Sequence, residues 1–154
     1  MTKFLATAHR TQQPPTIQQR ALVRSIQVRT FDLLELLQMA RRKRVTIRYN
    51  TLLYLIRRFY QVCHPLWHDY GLLLNDLRLE NIVFSQNLQI TSLRNFGHWT
   101  PIHTFLTYKV NSGQYQAPEM NQVPLVRYST TASEGFAFGV CLFNMIFQTQ
   151  PFSK

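Results

Sequence analysis

The stretch "NDLRLEN", Asn75–Asn81, packs acidic, basic and amide side chains into seven residues between two apolar runs, "GLLL" and "IVF". By itself it is a turn with charged residues, and Asp76 is a solvated or capping carboxylate. As part of a longer pattern it becomes a loop that carries chemistry. Short motifs arise by chance, so what lies on either side decides between the two.

The chain of 154 residues is one domain's worth, and 45% hydrophobic with 13% aromatic residues is no disordered composition. Seventeen Lys and Arg against seven Asp and Glu leave a net charge of +10, which favours acidic partners by long-range attraction. Charge alone specifies none of them. A basic nucleic-acid-binding helical protein stays as a third class, resting on charge only and without a recognised motif. Cys63 and Cys141 lie in apolar helical patterns and are read as buried free thiols of a reducing compartment. The opening "MTKFLATAHR" is too short for a signal peptide. No run reaches the ~18 apolar residues that a membrane span needs. The expectation is a soluble intracellular protein, cytoplasmic or nuclear.

Upstream of the loop, residues 1–19 are polar, with Pro14-Pro15 among glutamines, and read as a tail or linker. Arg20–Val28 alternates loosely, as one strand would. Thr30 to about Ala40 is expected as a short helix, with Thr30 as N-cap and Asp32 in its first turn. "RRKR" (Arg41–Arg44) reads either as a localisation or phosphate-binding patch or, more plainly, as a solvated connection. Arg48–His68 is amphipathic, with Leu52, Ile56, Phe59, Cys63 and Trp67 on one stripe, and Pro65 should end or bend it. His64 and His68 stand four apart, but the proline between them and the want of a third ligand argue against zinc.

Downstream, "NIVF" (Asn81–Phe84) and "LQI" (Leu88–Ile90) read as a small β-hairpin. Asn95–Tyr128 is polar and loop-like. About Ala132 to Gln148 is a helix apolar nearly all round, expected as the buried axis of an all-helical domain and too short to span a bilayer. Pro151 stops it.

In order, then, the chain runs amphipathic helix, "HDYGLLLNDLRLENIVF", hairpin, "SLRNFGHW", polar segment, "QYQAPEM", buried helix. This order resembles the C-terminal lobe of the protein kinases, whose catalytic loop reads H-R-D-L-K-x-x-N and is followed by D-F-G and A-P-E. The resemblance covers about Arg20 to the end. It implies a mainly α fold, an incomplete kinase-like C-lobe over residues 20–154 with a small hairpin beside the catalytic-loop equivalent.

The resemblance places Asp76 at the proton-accepting carboxylate and Arg78 at the lysine that neutralises the transferring phosphate. It places Asn81 and Asn95 at the two magnesium positions. Asn95-Phe96-Gly97 stands for D-F-G, so Asn95 lacks the anionic oxygen, and a neutral amide is a poorer ligand for a hard cation. Leu74 and Asn75 stand where the family has His and Arg. Ala117-Pro118-Glu119 matches A-P-E in full, and Glu134 stands at the acid that ties the central helix to the loop. Phe96, Gly97, Ala117, Pro118, Glu119 and Glu134 are thus structural positions. Tyr108, Thr104 and Thr107 fall in the activation-segment equivalent, where they are either phosphorylation sites or ordinary loop residues.

Neither a Gly-rich phosphate loop nor a strand lysine with its helix glutamate is found, and the helix that would supply the arginine partner of Glu119 is missing. The resemblance therefore implies a pseudokinase with no cofactor and no metal, binding protein partners: a kinase or a second copy of itself. "DLRLEN" with Asn95-Phe96 and A-P-E further resembles the PEAK/Pragmin scaffolding pseudokinases. The alternative is a fragment or divergent form of an active protein kinase, using ATP and magnesium.

Overall fold

Pairing of Thr30–Asp32 with a strand more than fifty residues later starts the fold. The computed structural model describes residues 30–85, 88, 91–110, 113–122 and 127–152. The expected tail 1–19 and the strand Arg20–Val28 lie outside the described residues. In chain order the elements are β1 (Thr30–Asp32), α1 (Leu33–Arg42), α2 (Tyr49–His68), β2 (Leu72–Leu73), β3 (Ile82–Ser85), β4 (Thr91–Leu93), β5 (Thr100–Pro101), β6 (Phe105–Leu106), β7 (Tyr128–Ser129) and α3 (Thr130–Phe147). Single 3₁₀ turns occupy Leu79–Asn81, Gly113–Tyr115 and Pro118–Asn121. About half of the described residues are helical and the sheets are small and antiparallel, which makes the fold mainly α.

Thr30 does not cap the first helix. Thr30 and Phe31 are extended and face Ser85 and Phe84 across an antiparallel ladder. Asp32 takes the cap, its Oδ1 accepting from the Glu35 backbone N–H at 2.7 Å. A carboxylate at that position meets an N–H that has no partner within the helix.

The hairpin has a different second strand from the one expected. β3 pairs with β4, with Ile82 opposite Leu93 and Phe84 opposite Thr91, so β3 lies at the centre of the order β1-β3-β4. Leu88, expected in the strand, takes φ +62° and closes a turn onto the Ser85 carbonyl at 2.8 Å.

Helix α2 runs past Pro65 for three residues, and the Pro65 carbonyl accepts from the Asp69 and Tyr70 N–H groups beyond it. Its buried stripe is Leu55, Phe59, Cys63 and Leu66, with Leu52, Ile56 and Trp67 on the flanks. The stripe is turned by about one residue from the sequence reading. Phe59 stacks on Phe138 of α3 at 4.9 Å, and Trp67 meets the same ring edge-on at 5.3 Å. Each such ring contributes roughly 1.5–3 kcal/mol by leaving water.

Helix α3 starts at Thr130, with the Ser129 hydroxyl as cap, and ends at Gln148 in the left-handed conformation. It is not buried on every side. Ala137, Val140, Cys141 and Met145 face the core, whereas Ile146 and Phe147 are exposed, because no described element covers the last turn. Its 18 residues agree closely with the length expected, but the expectation that it is too short to span a bilayer does not hold. Among the described residues it is the one helix long and apolar enough to cross a membrane, and the core helix of a packed domain meets the same measure. Glu134 and Asn144 on its inner face are buried together with the core.

The described residues of the polar stretch from Asn95 to Tyr128 include paired strands and 3₁₀ turns where a loop was expected. β5 pairs with β2 and β6 with β7, and a second small core gathers Leu106, Ala117, Met120 and Tyr128.

Candidate functional site

The loop from Leu74 to Asn81 is held by its leucines. Leu74, Leu77 and Leu79 are 2%, 1% and 0% exposed, so Asp76 and Arg78 between them are left half-buried at the rim, while Asn75 is buried with the leucines. Its backbone is fixed from below by Glu134 of α3. The carboxylate accepts from the Leu74 N–H at 3.1 Å, the Asn75 N–H at 2.9 Å and the Trp67 indole N–H at 3.2 Å. Burial raises the Glu134 pKa above the ordinary carboxylate value; the three donors pull it back, and the negative charge of Asp76 raises it further.

Asn75 turns the chain. Its φ of +60° is left-handed, which asparagine tolerates better than most residues. Its Nδ2 donates to the His98 carbonyl at 2.6 Å and the Thr100 hydroxyl at 2.9 Å, tying the loop to the β5 edge.

Past this turn the polar side chains form a line. Asn81, 3% exposed, donates from Nδ2 to the Asp76 carbonyl at 2.8 Å and to Asp76 Oδ2 at 3.1 Å. Its Oδ1 accepts from Asn95 Nδ2 at 2.7 Å. Asn95 also has a left-handed φ, +65°, and the preceding Arg94 N–H donates to the Asn81 carbonyl at 3.0 Å. Arg94 is itself paired to Asp32 at 2.9 Å. Asp76, Asn81 and Asn95 therefore come together, with both ends of the Asn81 amide engaged.

Arg78 lies beside this line. Its guanidinium is 3.8 Å from Asp76 and 3.3 Å from Glu80, and it sits over the Tyr115 ring at 5.3 Å. Tyr115 is buried, and burial pushes its phenol well above the usual range. The sequence reading did not single out Tyr115 or Trp67 as site residues. The signal for Trp67 was its place on the α2 stripe; for Tyr115, adjacent to "QAPEM", there was none beyond its neighbourhood.

The remaining positions lie further out. Phe96 is 57% exposed and packs edge-on against Trp99 at 5.0 Å, and Gly97 lies in open space beside it. Ala117 is buried and starts the 3₁₀ turn Pro118–Asn121, its carbonyl accepting from the Met120 N–H at 3.0 Å. Pro118 is exposed and Glu119 half-buried at that turn. Tyr108 is exposed, and its carbonyl accepts from the Tyr128 hydroxyl at 3.0 Å. His64 and His68 stack on each other at 5.1 Å. Among the described residues no three His, Cys, Asp or Glu side chains are grouped to hold a metal ion.

No protein-family profile matches the chain. Among curated proteins, the serine/threonine-protein kinase ksp1 of Schizosaccharomyces pombe is 30% identical over 91 residues, 56% of this chain and 19% of that protein. The chain thus spans about a fifth of the length of the relative it matches, and in that stretch its sequence is kinase-like.

Proposed function

We propose that this chain contains part of a protein-kinase-like C-lobe that has lost phosphoryl transfer and works by binding other proteins. The observation that carries the reading is the hydrogen bond from Asn95 to Asn81. A magnesium site of the kinase kind needs a carboxylate at position 95 and a free amide oxygen at 81. Here position 95 is a neutral donor, and the Asn81 oxygen is already accepting from it. The remaining carboxylate, Asp76, faces Arg78. A hard dication prefers anionic oxygen, so this donor set does not suit it.

The test is a thermal-shift and calorimetric titration of the chain with ATP, with and without magnesium. No response is expected. A dissociation constant at or below ~100 μM, about 5.5 kcal/mol of binding, would overturn the reading.

A second reading, an active or fragmentary kinase, is favoured by the ordered Asp76–Asn81 contact and by the similarity to a named kinase. Transfer of labelled phosphate to a peptide that disappears in Asp76→Ala would establish it. The finer likeness to the PEAK/Pragmin group points to self-association and recruitment of signalling proteins. The exposed Ile146, Phe147 and Phe152 at the end of α3 are the surface such a reading would use.

A further inference from the structure

On the side of the molecule formed by α1 and the start of α2, an apolar groove of about 420 Å³ opens between the two helices. Leu36, Ala40, Val45, Ile47, Leu55 and Leu88 line it, with Thr46, Thr51 and Arg48 at its edge. The floor is continuous with the main core, since Leu36, Ile47 and Leu88 pack against it and Leu55 belongs to it. Val45, at the lip, is 55% exposed. A hydrogen bond from the Tyr54 hydroxyl to the Leu88 carbonyl, 2.7 Å, holds the far wall to α2. The groove is thus part of the folded structure.

Its rim on the side of Val45 is cationic. Lys43 and Arg44 form the turn that leads from α1 into Val45, and Arg48, which lines the groove, caps α2 on the other side of Ile47; Arg42 ends α1 just before that turn, and Arg41 lines a separate cleft. Arg42, Lys43, Arg44 and Arg48 are all exposed. From Leu36 to His68 the sequence contains no Asp or Glu, while Arg57 and Arg58 extend the positive charge along α2. The nearest acids are Glu35, in the first turn of α1 just before the lining residue Leu36, and Asp32, the cap of α1, whose carboxylate is engaged by Arg94.

The geometry points to a docking site for an acidic segment of another protein that carries aliphatic side chains at helical spacing. The aliphatic floor would take those side chains, and the arginine and lysine rim would take the flanking carboxylates. Such a rim speeds encounter and sets the sign of charge that is accepted, while the buried apolar contacts supply affinity. A single-stranded nucleic acid suits the site less well, because bases stack on aromatic rings and none lines the groove. A lipid surface suits it less well too, because a concave notch receives side chains and does not insert among acyl chains.

This inference rests on the protein-binding half of the reading above. The ATP titration tests the loss of catalysis separately, so failure of one does not mimic failure of the other. The experiment is fluorescence anisotropy of the full chain with a labelled peptide of Asp and Glu carrying leucines four residues apart. Three controls accompany it: the same peptide with serine for leucine, an oligouridine, and phosphatidylserine vesicles. Binding is expected to weaken at least tenfold in Arg44→Glu/Arg48→Glu and in Val45→Asp, with circular dichroism unchanged. The serine peptide should bind at least tenfold more weakly as well. No binding of the leucine peptide would overturn the proposal. Equal binding of the serine peptide, an unaffected Val45→Asp, or tighter binding of oligouridine or vesicles through the same arginines would overturn it equally.

Discussion

Replacing Glu134 with alanine removes the acceptor for three donors at once: the Leu74 and Asn75 backbone N–H groups and the Trp67 indole. Each stranded buried donor costs roughly 1–3 kcal/mol. Part of that loss is offset, because the variant no longer holds a carboxylate away from water. The net expectation is about 3–5 kcal/mol, a large share of the ~5–15 kcal/mol typical of a domain. At ~3 °C per kcal/mol for a chain of this size, Tm should drop by about 10–15 °C. Glu134→Gln is milder, since its oxygen keeps some donors while its NH₂ faces an N–H; about 1–2 kcal/mol is expected. The pH dependence separates charge from shape. Burial raises the folded-state pKa above the ordinary glutamate value, so the folded chain holds that proton more tightly than the unfolded chain. The share of stability that comes from this tighter proton binding is therefore fully present below the ordinary glutamate pKa and lost as pH rises through the raised value, while the share from the three hydrogen bonds remains. Glu134→Gln should flatten this fall. Urea denaturation across pH 4–8, followed by circular dichroism, measures both. An alanine variant within ~1 kcal/mol of the parent, or an unchanged pH slope in the glutamine variant, would refute the reasoning.

Asn75→Ala removes two side-chain hydrogen bonds and puts a Cβ-bearing residue without them at φ +60°, so a loss of about 2–3 kcal/mol is expected in urea denaturation. Asn75→Gly, which relieves the backbone, should recover ~1 kcal/mol of it. Met145, fully buried, and Phe147, 60% exposed, lie two residues apart on α3. Met145→Ala should cost about 2–5 kcal/mol, and Phe147→Ser less than ~1 kcal/mol, by the same measurement. Burial raises the pKa of both Cys63 and Cys141 far above that of a free thiol. Neither should react with a thiol reagent in the native chain at pH 8, and both should react in urea.

Helix α2 was legible in the sequence because a helix is closed by bonds between residues four apart, and its burial repeats on the same local period. The existence of α3 and the buried state of both thiols followed for the same reason. Even there the local pattern left the α2 stripe about one residue out of place, because the exact facing depends on which partner arrives. What the local pattern did not contain was the meeting of distant residues. β1 pairs with a strand more than fifty positions away, and that pairing took Thr30 from the helix and passed the cap to Asp32. Likewise, Glu134 meets donors 59, 60 and 67 positions away, and Asn95 reaches Asn81 across fourteen. Arg78 is set over Tyr115 only when the segment before the 3₁₀ turn Pro118–Asn121 folds back on the loop. Residue types at 75–81 and 95 showed which carboxylate, guanidinium and amide groups were on hand. Only the tertiary fold decided that Asn95 would donate to Asn81 while Asn81 donates to Asp76, since hydrogen bonds of this kind are set by distance in space and not by spacing along the chain.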